Sequence, residues 1–249
     1  MNILLLNPNT RADVTDLMLH VARGAAAVGT QIAGRTAPRG VPYISTRAEA
    51  QIAGAIALET LAEAHRGVDA AIIAAFGDPA LFAARELFDM PVVGMAEAAM
   101  LAACMAGRRF SIVTFAPPLA PWYEECVRMH GLWGRCAGVR TLDGGFREIG
   151  DVQHEKEQVL VDLALRAIET DQADALIFAG APLSGLAGRV ESRIPVPVID
   201  QVVAAVKMAE AMVALRLRKA SAGAFRRPAA KPTTGLADAL AARLEHRDG

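Results

Sequence analysis

Short apolar runs bounded by Gly, Pro and Asn recur along the chain at residues 2–6, 70–75, 91–95, 110–114, 138–142, 174–179 and 196–199. The segments between several of them have helical spacing instead. In 47–66, Ala48, Ile52, Ala55, Leu58 and Ala62 fall on one face; in 153–170, Val159, Leu160, Leu163, Leu165 and Ile168 recur at helical intervals; in 201–217, Val202, Val206, Ala209 and Val213 do the same. Strands alternating with helices predict an α/β protein with parallel sheets covered by helices. Unbroken apolar strands such as Ala71-Ile72-Ile73 fit burial on both sheet faces.

The pattern is stated twice. Val68-Asp69-Ala70-Ala71-Ile72-Ile73-Ala74-Ala75-Phe76-Gly77-Asp78-Pro79 matches Ala173-Asp174-Ala175-Leu176-Ile177-Phe178-Ala179-Gly180-Ala181-Pro182. Each is an Asp-Ala step, an apolar run and a loop of small residues. Each is followed by a strand with a Pro lead-in, Met90-Pro91-Val92-Val93-Gly94 and Val196-Pro197-Val198-Ile199-Asp200. Each also has an earlier partner, Ile3-Leu4-Leu5-Leu6-Asn7 and Ser111-Ile112-Val113-Thr114. Such ordering implies duplication and two pseudo-symmetric lobes facing a shared cleft. The first lobe is expected over 1–97, with 200–217 returning to it, and the second over 98–199. Residues 218–249 read as a linker followed by a short helix near 235–245, either a mobile end or a piece that docks on a neighbouring subunit.

Composition narrows the function. A 249-residue chain that is 53% hydrophobic and 21% charged has ample core. A net charge of −1 gives no footprint for nucleic acid. No apolar run reaches the ~20 residues of a membrane span, and no signal peptide is visible. Three unpaired cysteines, Cys104, Cys126 and Cys136, point to a reducing cytoplasm; their settings favour structural roles. The five histidines lack metal-ligand spacing, and neither a Walker loop nor a Gly-x-Gly-x-x-Gly fingerprint is present, so no cofactor and no metal are expected. The partner expected is a small molecule, with self-association into a homo-oligomer.

In parallel sheets ligands bind beyond the carboxyl ends of the strands. That selects Asn7, Asn9 and Thr10; Ala75, Phe76, Gly77 and Asp78; Gly94 to Glu97; Thr114 and Phe115; and Gly180, Ala181 and Pro182. Asn7-Pro8-Asn9-Thr10 offers donors for a carboxylate or imide oxygen, or an N-cap for the following helix. Trp122 and Tyr123 either cover a ring-shaped ligand or belong to the core.

These stretches resemble the aspartate/glutamate/hydantoin racemase superfamily, nearest its hydantoin and allantoin racemase branch. The resemblance rests on Asn7-Pro8-Asn9-Thr10, Phe76-Gly77-Asp78-Pro79 with Ala83-Ala84-Arg85-Glu86-Leu87, Pro91-Val92-Val93-Gly94 with Glu97-Ala98, Phe110-Ser111-Ile112-Val113-Thr114 and Val196-Pro197-Val198-Ile199-Asp200, all within 1–217. It implies two Rossmann-like lobes with the active site in the inter-lobe cleft. It also implies two cysteines, one per lobe, that pass a proton through opposite faces of the substrate's stereocentre. The matching positions here hold Ala75 and Gly180. Neither ionises, so two-thiol racemisation is not expected.

Other groups stand in as candidates. Asp78, beside the vacated position, is a candidate base, or a cap for the helix after Pro79. Tyr43 is a second candidate, because its stretch contacts substrate in the relatives; Ser45 and Thr46 lie in the same stretch, and Arg47 offers a carboxylate clamp or a solvated helix face. Three readings follow. One is an enzyme acting on a small carboxylate or cyclic ureide through an enolate-like anion, as a lyase, decarboxylase or isomerase variant. Another is a binding or regulatory protein that keeps the pocket. The third is a racemase whose cysteines have been replaced.

Overall fold

The computed structural model describes residues 1–142, 148 and 151–248. Strands β1 (Asn2–Asn7), β2 (Gln31–Thr36), β3 (Ala70–Ile73) and β4 (Val92–Gly94) form a parallel sheet in the order β2-β1-β3-β4. Strands β5 (Phe110–Thr114), β6 (Cys136–Thr141), β7 (Ala175–Phe178) and β8 (Val198–Asp200) form another in the order β6-β5-β7-β8. The two orders are the same, so the repeated sequence is a repeated fold. β3, β5 and β7 are buried along their whole length, as their unbroken apolar sequences require.

Strand β2 is absent from the sequence reading. Its Gln31-Ile32-Ala33-Gly34-Arg35-Thr36 buries only Ile32, because an edge strand covered mainly on one side needs no apolar run. The helix expected over 153–170 is two, α6 (Val152–Glu155) and α7 (Glu157–Asp171), broken at Lys156 where ψ turns to 11°.

The remaining helices among the described residues are α1 (Ala12–Ala25), α2 (Arg47–Ala64), α3 (Leu81–Leu87), α4 (Met95–Ala106), α5 (Leu119–Met129), α8 (Leu186–Val190), α9 (Gln201–Ala214) and α10 (Asp238–Leu244). Helix α2 starts on a capping box: Thr46 Oγ1 accepts from the Glu49 amide, and the Glu49 carboxylate accepts from Thr46 N–H. Each such cap is worth about 1 kcal/mol. Helices α4 and α9 cross between the lobes. Helix α4 follows β4 yet packs on β7 and β8, while α9 follows β8 and packs on α1, β3 and β4. The boundary expected near residue 98 therefore falls inside α4, a helix shared by both lobes. No helix among the described residues is long and apolar enough to cross a membrane.

The C-terminal helix docks on its own chain, where the sequence reading offered a mobile end or a neighbouring subunit. Helix α10 packs on α2, with Leu240 in a core shared with Leu61, Phe88 and Leu87. The buried Arg243 donates from Nε to Leu87 O at 2.7 Å and from Nη2 to Asp89 at 2.7 Å, and pairs with Asp248. Charged donors on a helix-end carbonyl make a strong anchor that leaves no apolar pattern to read.

Candidate functional site

The two cleft loops follow equivalent strands, β3 and β7, and meet at a small cavity. Its wall takes Asn9 from the β1 loop, Tyr43 and Ile44 from the segment before α2, Ala75 and Phe76 from the β3 loop, Phe115, Trp122 and Tyr123 from the second lobe, and Gly180, Ala181 and Pro182 from the β7 loop. The space a water molecule can occupy there is about 30 Å³, room for one or so. Positions 75 and 180 thus line the same cavity. Asn9, Tyr43, Phe76, Phe115, Ala181 and Pro182 join them.

Other expected residues serve the walls. Asn7 is fully buried, and its Nδ2 donates to Asn9 Oδ1 at 3.1 Å, Arg11 O at 3.1 Å and Thr15 Oγ1 at 2.9 Å. With its oxygen occupied by Asn7 and by Arg11 N–H, Asn9 keeps its amide N–H₂ for a ligand. Thr10 ties the loop through its amide to Val41 O at 3.0 Å. Ser45 and Thr46 do not line the cavity; both are bound to Glu49 at the start of α2. Arg47 points outward and pairs with Glu125 on α5 across the lobes.

The β7 loop bends at Gly180, where φ is +111°, a conformation that favours glycine. Gln201 grips its peptide: Gly180 N–H donates to Gln201 Oε1 at 3.0 Å and Gln201 Nε2 donates back to Gly180 O. A Cβ placed on Gly180 would lie 2.7 Å from a ring carbon of Phe115 and 3.5 Å from the Tyr123 hydroxyl. Aromatic groups therefore fill the space a side chain at 180 would need. The peptide N–H groups of Ala75, Phe76 and Ala181 are engaged in no turn, loop or cap hydrogen bond, so they are the donors these loops present.

Two tyrosines add polar groups to the wall beside Asn9. Tyr123 is buried on α5, and its hydroxyl lies 3.5 Å from where a Cβ on Gly180 would sit. Thr114 Oγ1 donates to Ala179 O at 2.8 Å, and the Tyr123 phenol can both donate and accept. Tyr43 packs its ring on Phe115, centroids 5.9 Å apart, and its buried hydroxyl has no hydrogen-bond partner. Burial raises both phenols well above their ordinary value, with a further push on Tyr43 from Glu49. Both are neutral acids at physiological pH.

Asp78 does not line this cavity. Its carboxylate is turned under the loop, where it accepts from the amides of Ala96 and Glu97 at 2.8 Å each and from His130 Nε2 at 3.0 Å. It caps α4, whereas the sequence suggested the helix after Pro79. Burial pushes its pKa up, opposed by those hydrogen bonds. His130 also faces Glu97, its Nδ1 3.5 Å from Oε1, and Glu97 is bidentate to Arg85. Burial works against the imidazolium, but Asp78 and Glu97 outweigh it and lift His130 to about 9. Glu97 falls to about 2, burial being outweighed by His130 and Arg85. The result is an alternating Asp–His–Glu–Arg chain. His130 was missed because nothing in its sequence neighbourhood distinguishes it from a surface histidine.

Among the described residues, Asp78, Cys126 and His130 bring one donor atom each within 4.8 Å of one another, a spacing a metal ion can bridge. The carboxylate and both ring nitrogens already have protein partners, so the ion-pair chain accounts for the cluster by itself. None of the cysteines lines the inner cavity. Burial raises all three thiols, Cys136 to about 11, which keeps them protonated and unreactive.

The chain matches the sequence profile described as Asp/Glu/Hydantoin racemase over residues 3–209 and belongs to that family. It is similar to the hydantoin racemase of a Pseudomonas species, 34% identical over 236 residues, covering 94% of this chain and 95% of that protein. Among solved structures it resembles allantoin racemase from Klebsiella pneumoniae, with a TM-score of 0.91 at 35% identity over 96% of this chain and 98% of that one. Allantoin racemase from Pseudomonas fluorescens gives 0.87 at 31% identity over 94% and 100%.

Proposed function

We propose that this chain is an enzyme of the racemase superfamily that takes a small cyclic ureide between its lobes and stabilises an enolate-like anion, without the two-thiol proton relay. The observation that carries the reading is the Tyr43 hydroxyl, buried in the cavity wall with no partner. An unmade hydrogen bond at a buried group costs about 1–3 kcal/mol, so a site that keeps one is built for an incoming acceptor.

The wall offers donors at Tyr43, at Asn9 Nδ2 and at the Ala75, Phe76 and Ala181 amides, and an acceptor at Tyr123. A cyclic ureide carries carbonyl oxygens and N–H groups together and can use these donors and the accepting capacity of the Tyr123 phenol at once, whereas a carboxylate only accepts. Neutral phenol and amide donors stabilise negative charge as it develops on a carbonyl oxygen. Among the described residues no carboxylate lines the cavity, and Asp78 and Glu97 belong to the His130 chain. The reaction then begins with a substrate that ionises readily or loses a group leaving its electrons behind, which supports a decarboxylase, lyase or isomerase variant. The Phe115 ring beside Gly180 weighs against a cysteine simply removed from that position.

The test is a panel of 5-substituted hydantoins, allantoin and aryl-substituted malonates in D₂O, followed by proton NMR and by chiral chromatography. Deuterium incorporation or loss of CO₂ supports the enzyme, and Tyr43→Phe should slow it about 10²-fold or more if the phenol holds the anion. Saturable binding without exchange or product across the panel would turn the reading to the binding or regulatory protein. The absence of any proton-transfer side chain at positions 75 and 180 favours that second reading. Exposed Met105, Leu215 and Leu217 support self-association, to be read by light scattering, and unpaired thiols support a cytoplasmic setting.

A further inference from the structure

Beside the inner cavity lies a much larger hollow of about 580 Å³, open to solvent between α2, the 77–80 loop and α5. Arg47, Gln51, Gly54, Asp78, Glu125 and Met129 are among its lining residues. One aromatic side chain borders both spaces. Trp122 is part of the wall of the inner cavity and of the wall of the outer hollow. Its indole lies directly on the bare α-carbon of Gly77, so close that a Cβ there would sit 2.3 Å from Cζ2 and 2.5 Å from Cε2. The ring is 8% exposed and leans on Tyr123 with centroids 5.5 Å apart. Its N–H makes no hydrogen bond among the described residues, so no polar tether holds it down.

The sizes do not agree with a permanently closed wall. A space of about 30 Å³ admits one water, whereas small-molecule sites run to several hundred Å³. A hydantoin-sized ring fits the outer hollow and does not fit the inner cavity. The side chain between them is untethered, and it rests on the β3 loop at a glycine where no other residue would let it lie flat. The C-terminal end of its helix is tied by the buried His130–Asp78 pair, and the exposed Arg47–Glu125 pair adds a weak contact.

We infer that Trp122 is the gate between the outer hollow and the inner cavity, and that the swing of its indole off Gly77 sets the cross-section of molecule that reaches positions 75 and 180. The size limit for substrate rests on the function proposed above; the gate itself does not. Loss of the indole joins the two spaces.

Ala75→Cys places a thiol in the inner cavity without the strain that position 180 would impose. Its alkylation by iodoacetamide, located by peptide mass mapping against the native cysteines, reports access directly. Adding Trp122→Ala should raise the rate at position 75 at least tenfold, and Trp133→Ala, removing the other tryptophan, should not. A bulky maleimide should gain more from the opening than iodoacetamide does. Equal rates with and without the indole would overturn the gate and place the entrance on the Pro42–Pro182 side of the cavity. Circular dichroism and melting of each variant separate opening from unfolding, and Trp122→Phe provides a smaller step that should give an intermediate rate. A second reading uses Trp133→Phe, which leaves Trp122 as the sole fluorophore. Hydantoin binding should shift its emission to the red and raise acrylamide quenching, and calorimetric binding with no change at Trp122 would overturn the gate. No binding at all would sink the proposed function instead, with the labelling result untouched.

Discussion

Nε2 of His130 lies 3.0 Å from Oδ2 of Asp78, and through that bond the end of α5 in one lobe is fastened beneath the cleft loop of the other. The loop needs fastening. Gly77, Asp78 and Ala80 all have positive φ, +115°, +49° and +61°, and non-glycine residues held there cost about 1–3 kcal/mol each.

His130→Phe should destabilise the protein by about 3–5 kcal/mol, because it leaves a buried carboxylate without its cation. The pH dependence has a defined sign. His130 titrates near 9 when folded against 6.5 ordinarily, so folding holds its proton more tightly. That stabilisation is complete below pH 6.5 and is lost as pH rises through 9. The melting temperature of the native protein should fall across that window, and that of His130→Gln should fall much less; parallel curves would contradict the ion pair.

Placing thiols at 75 and 180 should not be symmetric. Ala75→Cys should fold normally. Gly180→Cys should lose about 1–3 kcal/mol from its left-handed backbone, with a further loss from the Phe115 ring 2.7 Å from the new Cβ. Urea denaturation reads both. The double variant should exchange the α-proton of hydantoins only when Phe115 is also cut back to Leu, and exchange without that change would show that the ring moves aside freely.

Tyr43→Phe should leave the unliganded protein as stable as before or slightly more so, since it removes a buried hydroxyl with no partner. Affinity for a bound ureide should drop about tenfold, the value of one hydrogen bond to a neutral acceptor. Calorimetry and thermal melting on the same samples distinguish this from a structural role, in which both would fall together.

Arg243→Ala should release the C-terminal helix. The side chain is 5% exposed and bonds Leu87 O, Asp89 and Asp248, and charged hydrogen bonds of this kind are worth about 1.5–3 kcal/mol. Trypsin should then cut within 218–231 many times faster, with little change in the rest of the digest. An unchanged digest would mean that Leu240 and Ala241 hold α10 unaided.

The amino-acid pattern alone determined the duplicated α/β architecture and the pairing of the β3 and β7 loops. Those features are local: apolar strands, small-residue loops and their order survive in one dimension, because burial on both sheet faces demands continuous apolar sequence. Tertiary structure decided the rest. Strand β2 was invisible because an edge needs only Ile32 buried. Asp78 read as a base or as a cap for the helix after Pro79, but only the position of α4 shows its carboxylate spent on two amides and an imidazole 52 residues away. Trp122 read as core or as ligand cover, with core the favoured reading, and only the packing of α5 on Gly77 gives it a face on each of two spaces. Hydrogen-bond saturation and shared cavity walls are relations between distant segments, and no spacing along the chain encodes them.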